Sequence, residues 1–547
     1  MTTFLHRFLA ATLILLIALG GLSVPASAQK GEYDIVIRNG RVLDGAGNPW
    51  TADDVAIKDG KFVKIGKVEG RGKREIDAGG KYVSPGWIDV MDQSGYVLPR
   101  NGLAENKVFM GVTTAIGGEG GTPVPAEKIT EYFAGLEKSG ISINFGTYFS
   151  ETQARVAVLG NESRAPTPEE LTRMKAIMET AMRSGAMGMT TALIYPPSSF
   201  ATTEELVEMA KVAGRYGGIY ATHMRDEGKG LISGIEEAIE IGEKGGLPVE
   251  IFHLKAAYQP GWGKLMKEAG EKITEARQRG VDVGADLYLY TAGGTGLEAT
   301  IPSWAFEGGD EKLLERLKDP KIRERLKREV KTGSPGWWNI VEASGGWDNI
   351  VLVNAQNAEN AKYEGKNLSQ IAKEMKKDPA DAAWDLVSEG NGRVLAIYHM
   401  MSEEDVIAAL KFPWTSIGSD AGAALKLGTV DGLGLAHPRS YGNHPRLIAR
   451  YVREKKVLTL PEAIRKMTSW AADRMRLDSR GLIKEGLWAD VVIFDYDKIQ
   501  DRATYEQPFL TPVGINYVLV NGVIVAEDGK HTGAKPGKVI YGPGRGM

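Results

Sequence analysis

The spacing of apolar and polar positions divides the chain into three stretches. Residues 33–83 alternate and turn like a small sheet, as YDIVIRNGRVLDG, DVAIKDGKFVKIG and REIDAGGKYV. The Asn39-Gly40 and Asp59-Gly60 pairs between these runs are hairpin signals, because both residue types accept the positive φ of tight turns. Residues 489–528 repeat the style in ADVVIFDYD and GINYVLVNGVIVAEDG, with Asn521-Gly522 as another hairpin turn. Two β-rich ends of matching character predict one small β-sandwich domain built from residues 29–84 and 481–547.

Between these ends the period changes. Short apolar runs read as buried strands: GWIDVMD, GVTTAIGG, INFGTYFS, GAMGMTTALI, GGIYATHM, PVEIFHLKAA, DVGADLYLY, RVLAIYHM and TSIGSD. Amphipathic stretches such as TPEELTRMKAIMETAMRSG and TTEELVEMAKVAGRYG fall between some of them. Repeated βα units of this length predict an α/β fold, a parallel (β/α)8 TIM barrel over residues 85–480. The runs slightly overfill eight strands, so one is accessory. Residues 293–349 break the rhythm with charged, helical, Trp-rich sequence, KLLERLKDPKIRERLKREVKTGSPGWWNI among it. They predict a lid-like insertion over the barrel mouth, with a plain structural or oligomer-contact role as the alternative.

Composition narrows the chemistry. The 547 residues are 43% apolar and 25% charged with a formal charge of −3, so no strong field directs the chain to nucleic acid or an acidic membrane. The absence of cysteine excludes disulfides, thiolate zinc clusters and a cysteine nucleophile. The N-terminus places Arg7 before an apolar run from Phe8 to about Leu22 and then Ala26-Ser27-Ala28. This reads as a signal peptide over residues 1–28, for export to a bacterial periplasm or exterior, with a single membrane anchor as the alternative. No later stretch approaches ~20 uninterrupted apolar residues, so no membrane span is expected in the mature chain.

Seven histidines are present, and a metal site must be assembled from these and carboxylates. In a (β/α)8 barrel the chemistry lies at the C-terminal ends of the strands. His223 ends GIYATHM and His253 lies late in VEIFHLK. Each alone also fits a hydrogen-bonded core histidine, but neighbouring strands let the pair share one metal ion. Glu119, among the glycines of IGGEGGTP, is a plain loop residue or the anionic third ligand of an open zinc site. Lys255, two residues after His253, is expected on the same face of the strand and in need of an anion. A substrate carboxylate would serve, as would carbamylation to a bridging ligand. Asp420, ending TSIGSD, is a general acid–base beside a metal-bound water or a helix N-cap. His399 reads as a packed core residue, His437 as a support of the HPRSYG loop, and His444 and His531 as surface residues. Asp89 reads as a backbone anchor.

From residue 33 to the C-terminus the chain resembles the amidohydrolase superfamily and, within it, the D-aminoacylase (N-acyl-D-amino-acid deacylase) family. The segments that carry the resemblance include DIVIRNGRVLDGAGNP, PGWIDV, GVTTAIGGEGG, THMRDEG, FHLKAA, DLYLYTAGGTGL, IGSDAG, HPRSYGNHPRLIARYVRE and GLIKEGLWADVVIFD. The resemblance places the family's strand-one His-x-His on Met91 and Gln93, and its cysteine ligand at or beside Gly120, next to Glu119. All three ligands are absent. It places the two histidines of the tight zinc site on His223 and His253, and the catalytic aspartate on Asp420. Tyr195, Lys255, Tyr290 and Arg439 match positions that look like substrate-carboxylate binders. A thioether and a neutral amide are poor ligands for zinc, so the resemblance implies one Zn2+ per chain, held by Glu119, His223, His253 and water.

The implied activity is hydrolysis of N-acyl-D-amino acids, a small-molecule substrate, with oligomeric state left open. Alternatives are a cyclic amidase, lactonase or D-peptidase on the same scaffold, or an inactive periplasmic binding protein.

Overall fold

The computed structural model describes residues 32–392, 394–428 and 437–547. The expected leader at residues 1–28 lies outside them. Among the described residues no helix is long and apolar enough to cross a membrane.

Two sheets form at the ends of the chain. The first orders its strands Lys61–Gly66, Asp54–Lys58, Tyr33–Arg38 and Gly72–Asp77. The second runs Arg41–Val42, Tyr82–Pro85, Val491–Phe494, Ile515–Val520, Val523–Glu527 and Lys530–His531, so both ends of the sequence enter one sheet. Ile35, Ile57, Phe62, Val83, Val491 and Leu519 are buried in one apolar cluster shared by the two sheets. Asp59-Gly60 and Asn521-Gly522 turn hairpins with all four residues at positive φ. The two turns touch: a side chain at Gly522 would meet the Gly60 Cα at 2.7 Å, and one at Gly60 the Asn521 carbonyl at 2.8 Å. Only glycine fits both places. Asn39-Gly40 is no hairpin. It carries the chain from the first sheet to the second, where Arg41–Val42 pairs in parallel with Tyr82–Pro85.

Parallel strands make two arcs. One contains Trp87–Asp92, Val112–Gly117 and Asn144–Thr147; the other contains Phe149–Ser150, Gly188–Ala192, Ile219–His223, Val249–Ile251, Val283–Leu287 and Thr415–Ile417. The arcs adjoin at Tyr148, whose N–H donates to the Gly117 carbonyl at 2.9 Å. At the other edge the Asp420 N–H donates to the Met91 carbonyl at 2.9 Å and the Gln93 N–H to the Ala421 carbonyl at 3.2 Å. The helices between strands begin where the sequence supplies caps. Thr167 and Glu170 form a capping box before Pro168–Ser184, and Thr202 caps Thr203–Arg215.

The surplus strand is RVLAIYHM. Leu395–Tyr398 pairs antiparallel with Gly293–Gly296 and Ile350–Asn354, away from the parallel arcs. The excursion between Leu287 and Thr415 is accordingly longer than residues 293–349. A short apolar run suits either environment, because its partners and not its period decide the sheet it joins.

The edge between the first and last parallel strands is tied by a buried charge cluster. Lys107, on the Glu105–Phe109 helix, places Nζ 2.9 Å from Asp89 Oδ2, 2.7 Å from Asp92 Oδ2 and 2.8 Å from Ser419 Oγ, and also donates to the Ala421 carbonyl. Asp89 Oδ1 accepts from the Ser419 N–H at 2.8 Å. Removing the ammonium leaves two buried carboxylates unanswered, so Lys107→Met is expected to cost about 3–5 kcal/mol of stability, read as a lowered urea midpoint.

His444 is not a surface residue. It is fully buried and stacks on Trp87, ring centroids 6.4 Å apart at 10°. Burial pushes its pKa down to about 4. The unfolded chain protonates this ring near pH 6.5 and the folded one only near 4. Its contribution is therefore complete above pH 6.5 and lost as the pH falls, by up to about 3 kcal/mol. His444→Phe should flatten the fall in urea midpoint between pH 6.5 and 4.

Candidate metal centre and substrate cavity

Glu119 projects from the turn that follows the Val112–Gly117 strand. At Gly118, φ is 104° and a side chain would strike Thr147 Oγ1 at 2.7 Å, so the turn lies close on the next strand. Glu119 Oε1 stands 2.8 Å from His223 Nδ1 and 3.2 Å from His253 Nε2. His223 is the last residue of its strand. His253 lies beyond the end of the Val249–Ile251 strand with φ 37°, its N–H held by Asp286 Oδ1 at 3.0 Å. Among the described residues these three offer ligand atoms within 4.8 Å of one another. A tetrahedral ion with bonds of about 2.0–2.1 Å spaces its ligands about 3.3 Å apart, so the set fits a small divalent cation with a slight opening.

The surrounding charges fit it too. Burial opposes ionisation of Glu119, but hydrogen bonds from the two imidazoles outweigh it and hold the carboxyl below its ordinary range. Burial and the Lys255 ammonium act against a charge on His253, yet Glu227 and Glu119 outweigh both and push its pKa up to about 10. A cation at the three ligands would displace that proton.

Glu227 joins this centre although it belongs to none of the residue patterns that point to a metal. Its Oε1 lies 3.0 Å from His253 Nδ1 and its Oε2 3.4 Å from His223 Nε2, so it faces the far nitrogen of both imidazoles. Carboxylates in that position orient metal-binding imidazoles. The same Oε1 lies 2.6 Å from Lys255 Nζ. The anion that Lys255 requires is thus supplied by the protein, and the strand that was to set its direction ends at Ile251. The visible signal for Glu227 was a carboxylate four residues after His223 in THMRDEG.

Asp420 lies beyond the Thr415–Ile417 strand with φ 49°. Its Oδ2 is 2.7 Å from Arg439 Nη1, and its Oδ1 accepts from Gln93 Nε2 at 2.8 Å. Burial raises the Asp420 pKa, opposed by Arg439. Arg439 also sits 4.8 Å over the Tyr288 ring and donates to the Gly294 carbonyl at 3.2 Å. The His437 ring accepts from the Arg439 N–H at 3.1 Å and so braces this loop.

Glu119, His223, His253 and Asp420 line one cavity of about 260 Å3, together with Gln93, Tyr195, Glu227, Lys255, Tyr288 and Arg439. Tyr195 bonds Thr295 Oγ1 at 2.7 Å. Tyr290 does not line this cavity. It packs among His437, Tyr505 and Arg446, and Tyr288 takes the place at the wall. Both tyrosines follow the end of the Val283–Leu287 strand, where side-chain alternation no longer applies. The excursion after Leu287 supplies Gly293–Gly296, Trp338, Ile340, Leu395 and Met400 to the wall.

A sequence profile of the amidohydrolase family matches residues 420–526. The D-aminoacylase of Alcaligenes xylosoxydans xylosoxydans is 30% identical over 531 residues, covering 93% of this chain and 97% of its own. A structure of N-acyl-D-glutamate deacylase from Bordetella bronchiseptica, complexed with zinc and a phosphonate that mimics the tetrahedral intermediate, is 28% identical with a TM-score of 0.76, covering 94% of this chain and 100% of its own. A D-aminoacylase structure described in terms of one-metal activation and second-metal attenuation is 29% identical with a TM-score of 0.76, covering 93% of this chain and 99% of its own.

Glu227→Gln keeps the shape of the side chain and removes the charge behind both imidazoles. It is expected to weaken zinc affinity by about 10–100-fold, measured by competition with a chelator; unchanged affinity would show that Glu227 does not orient the ligands.

Proposed function

Because the chain belongs to the amidohydrolase superfamily and, within it, to the D-aminoacylase family, we propose that it hydrolyses N-acyl-D-amino acids to a carboxylate and a free amino acid. In this reading one zinc ion is held by Glu119, His223 and His253, and Asp420 is the general acid–base. The observation that carries it is the convergence of the three ligand side chains and Asp420 on one cavity. When bound, the cation would polarise the scissile carbonyl and lower the pKa of water.

This chain's residues divide the remaining work. Asp420 accepts a proton from the attacking water and passes it to the leaving nitrogen, a task suited to a carboxyl whose pKa burial has raised. Arg439 and Lys255, with Tyr195, face the α-carboxylate. Both cations are ion-paired within the protein, so substrate binding exchanges part of those pairs for the incoming carboxylate. Arg439 presents a planar fork for that exchange. The apolar wall of Ile194, Trp338, Ile340, Leu395 and Met400 suits an apolar acyl or side-chain group, and the excursion after Leu287 acts as the lid.

We further read the two parallel arcs as one eight-stranded barrel, with Asn144–Thr147 and Phe149–Ser150 as a single interrupted strand, carrying a small domain made of residues 29–84 and 481–547. Residues 1–28 are read as an export signal, which sequencing the N-terminus of the secreted chain tests.

The activity is tested by zinc analysis and turnover of a panel of N-acyl-D- and N-acyl-L-amino acids. Wild type is expected to turn over D-substrates with apolar side chains, to lose turnover on chelation and to regain it with zinc. His223→Ala should lose both zinc and turnover. Hydrolysis confined to cyclic amides, lactones or D-peptides would overturn the substrate assignment, and a zinc-free inert protein that binds ligands would replace the enzyme with a binding protein.

A further inference from the structure

Two carboxylates approach each other in the cavity with a single neutral side chain between them. Gln93 Nε2 lies 3.1 Å from Glu119 Oε2 and 2.8 Å from Asp420 Oδ1. A carboxamide carries two N–H donors on that nitrogen, one for each acid. The reverse orientation would aim the amide oxygen at two acceptors, so the network itself assigns the nitrogen to this side. The opposite oxygen of each acid is already engaged: Glu119 Oε1 with His223 and His253, Asp420 Oδ2 with Arg439. The Gln93 backbone N–H is fixed on the Ala421 carbonyl at 3.2 Å, one residue past Asp420. Met91, two residues earlier, is buried among Ile88, Val90, Ile116 and Tyr148 and does not line the cavity.

Two carboxylates aimed at one point repel each other unless a cation or a hydrogen-bond donor lies between them. Here both acids turn toward that point and meet N–H groups. We propose that the Gln93 carboxamide occupies the place of a second cation between Glu119 and Asp420, limiting the cavity to one divalent ion and positioning Asp420. Gln93 is a positioning residue and touches no reacting atom. The limit on metal number stands on this geometry alone; the effect on turnover rests on the deacylase reading above.

Gln93→Glu is nearly isosteric and replaces the donors with a third carboxylate; Gln93→Leu removes the donors without adding charge. The metal-free proteins are titrated with zinc by calorimetry, without substrate, and bound zinc is checked by elemental analysis. Wild type is expected to saturate at one zinc per chain, Gln93→Leu at one, and Gln93→Glu to take up a second. With substrate, both variants should keep KM within about threefold while kcat falls about tenfold or more, the scale of lost hydrogen bonds to a charged group. A merely structural role would not separate kcat from KM or change the zinc count. Two zinc ions of similar affinity in wild type, or a Gln93→Glu protein that still stops at one, would overturn the proposal. A wild type that binds one zinc and hydrolyses no amide, beside a Gln93→Glu protein that binds two, would retain the role of Gln93 and remove the deacylase reading instead.

Discussion

An ionised carboxylate buried among imidazoles persists only where each neighbour answers its charge, and Glu119 imposes that condition on the whole cavity. One oxygen is shared by His223 and His253, whose far nitrogens turn to Glu227, which in turn holds Lys255. The other oxygen meets Gln93, which links it to Asp420 and so to Arg439. Outward from Glu119 carboxylates alternate with nitrogen-bearing side chains in both directions, the imidazoles and Lys255 on one side and the neutral Gln93 amide and Arg439 on the other. Each side chain in the two series has its direction set by the one before it, which is how these six loop or strand ends keep a single arrangement.

The same cavity holds local strain. His253 and Asp420 both adopt positive φ, a conformation that costs a residue with a Cβ of order 1–3 kcal/mol. Each is pinned by its own N–H, which donates to a neighbouring strand: His253 to Asp286 Oδ1, Asp420 to the Met91 carbonyl. The Lys107 cluster stands behind the second of these, joining Asp89 and Asp92 to Ser419 and Ala421. A buried charge thus fixes the backbone on either side of Asp420, through Ser419 and Ala421.

Much of this plan could be read from the sequence, and the failures share a cause. Asp59-Gly60 and Asn521-Gly522 announced hairpins because their geometry is local. Asn39-Gly40 has the same local preference, but its flanking strands belong to different sheets, a fact that resides in distant partners. His223 could be placed because it ends a strand. His253, Lys255, Asp420 and Tyr290 lie past strand ends, where periodicity no longer dictates direction. The need of Lys255 for an anion was legible; that the anion is Glu227 required the fold. His444 was misplaced because a polar ring in a charged segment gives no sign of the Trp87 face that covers it.

The contact between the turns at Gly60 and Gly522 bears on how the molecule is made. The Tyr82–Pro85 strand leaves the ribosome roughly 400 residues before Val491–Phe494, its antiparallel neighbour. At typical elongation speeds that interval is about 20–80 s. During it the nascent sheet presents an unsatisfied edge, the kind of surface on which aggregation begins. Vectorial synthesis therefore completes the second sheet last, and a chain that ends anywhere in the central region keeps its first sheet but leaves Tyr82–Pro85 without its antiparallel neighbour.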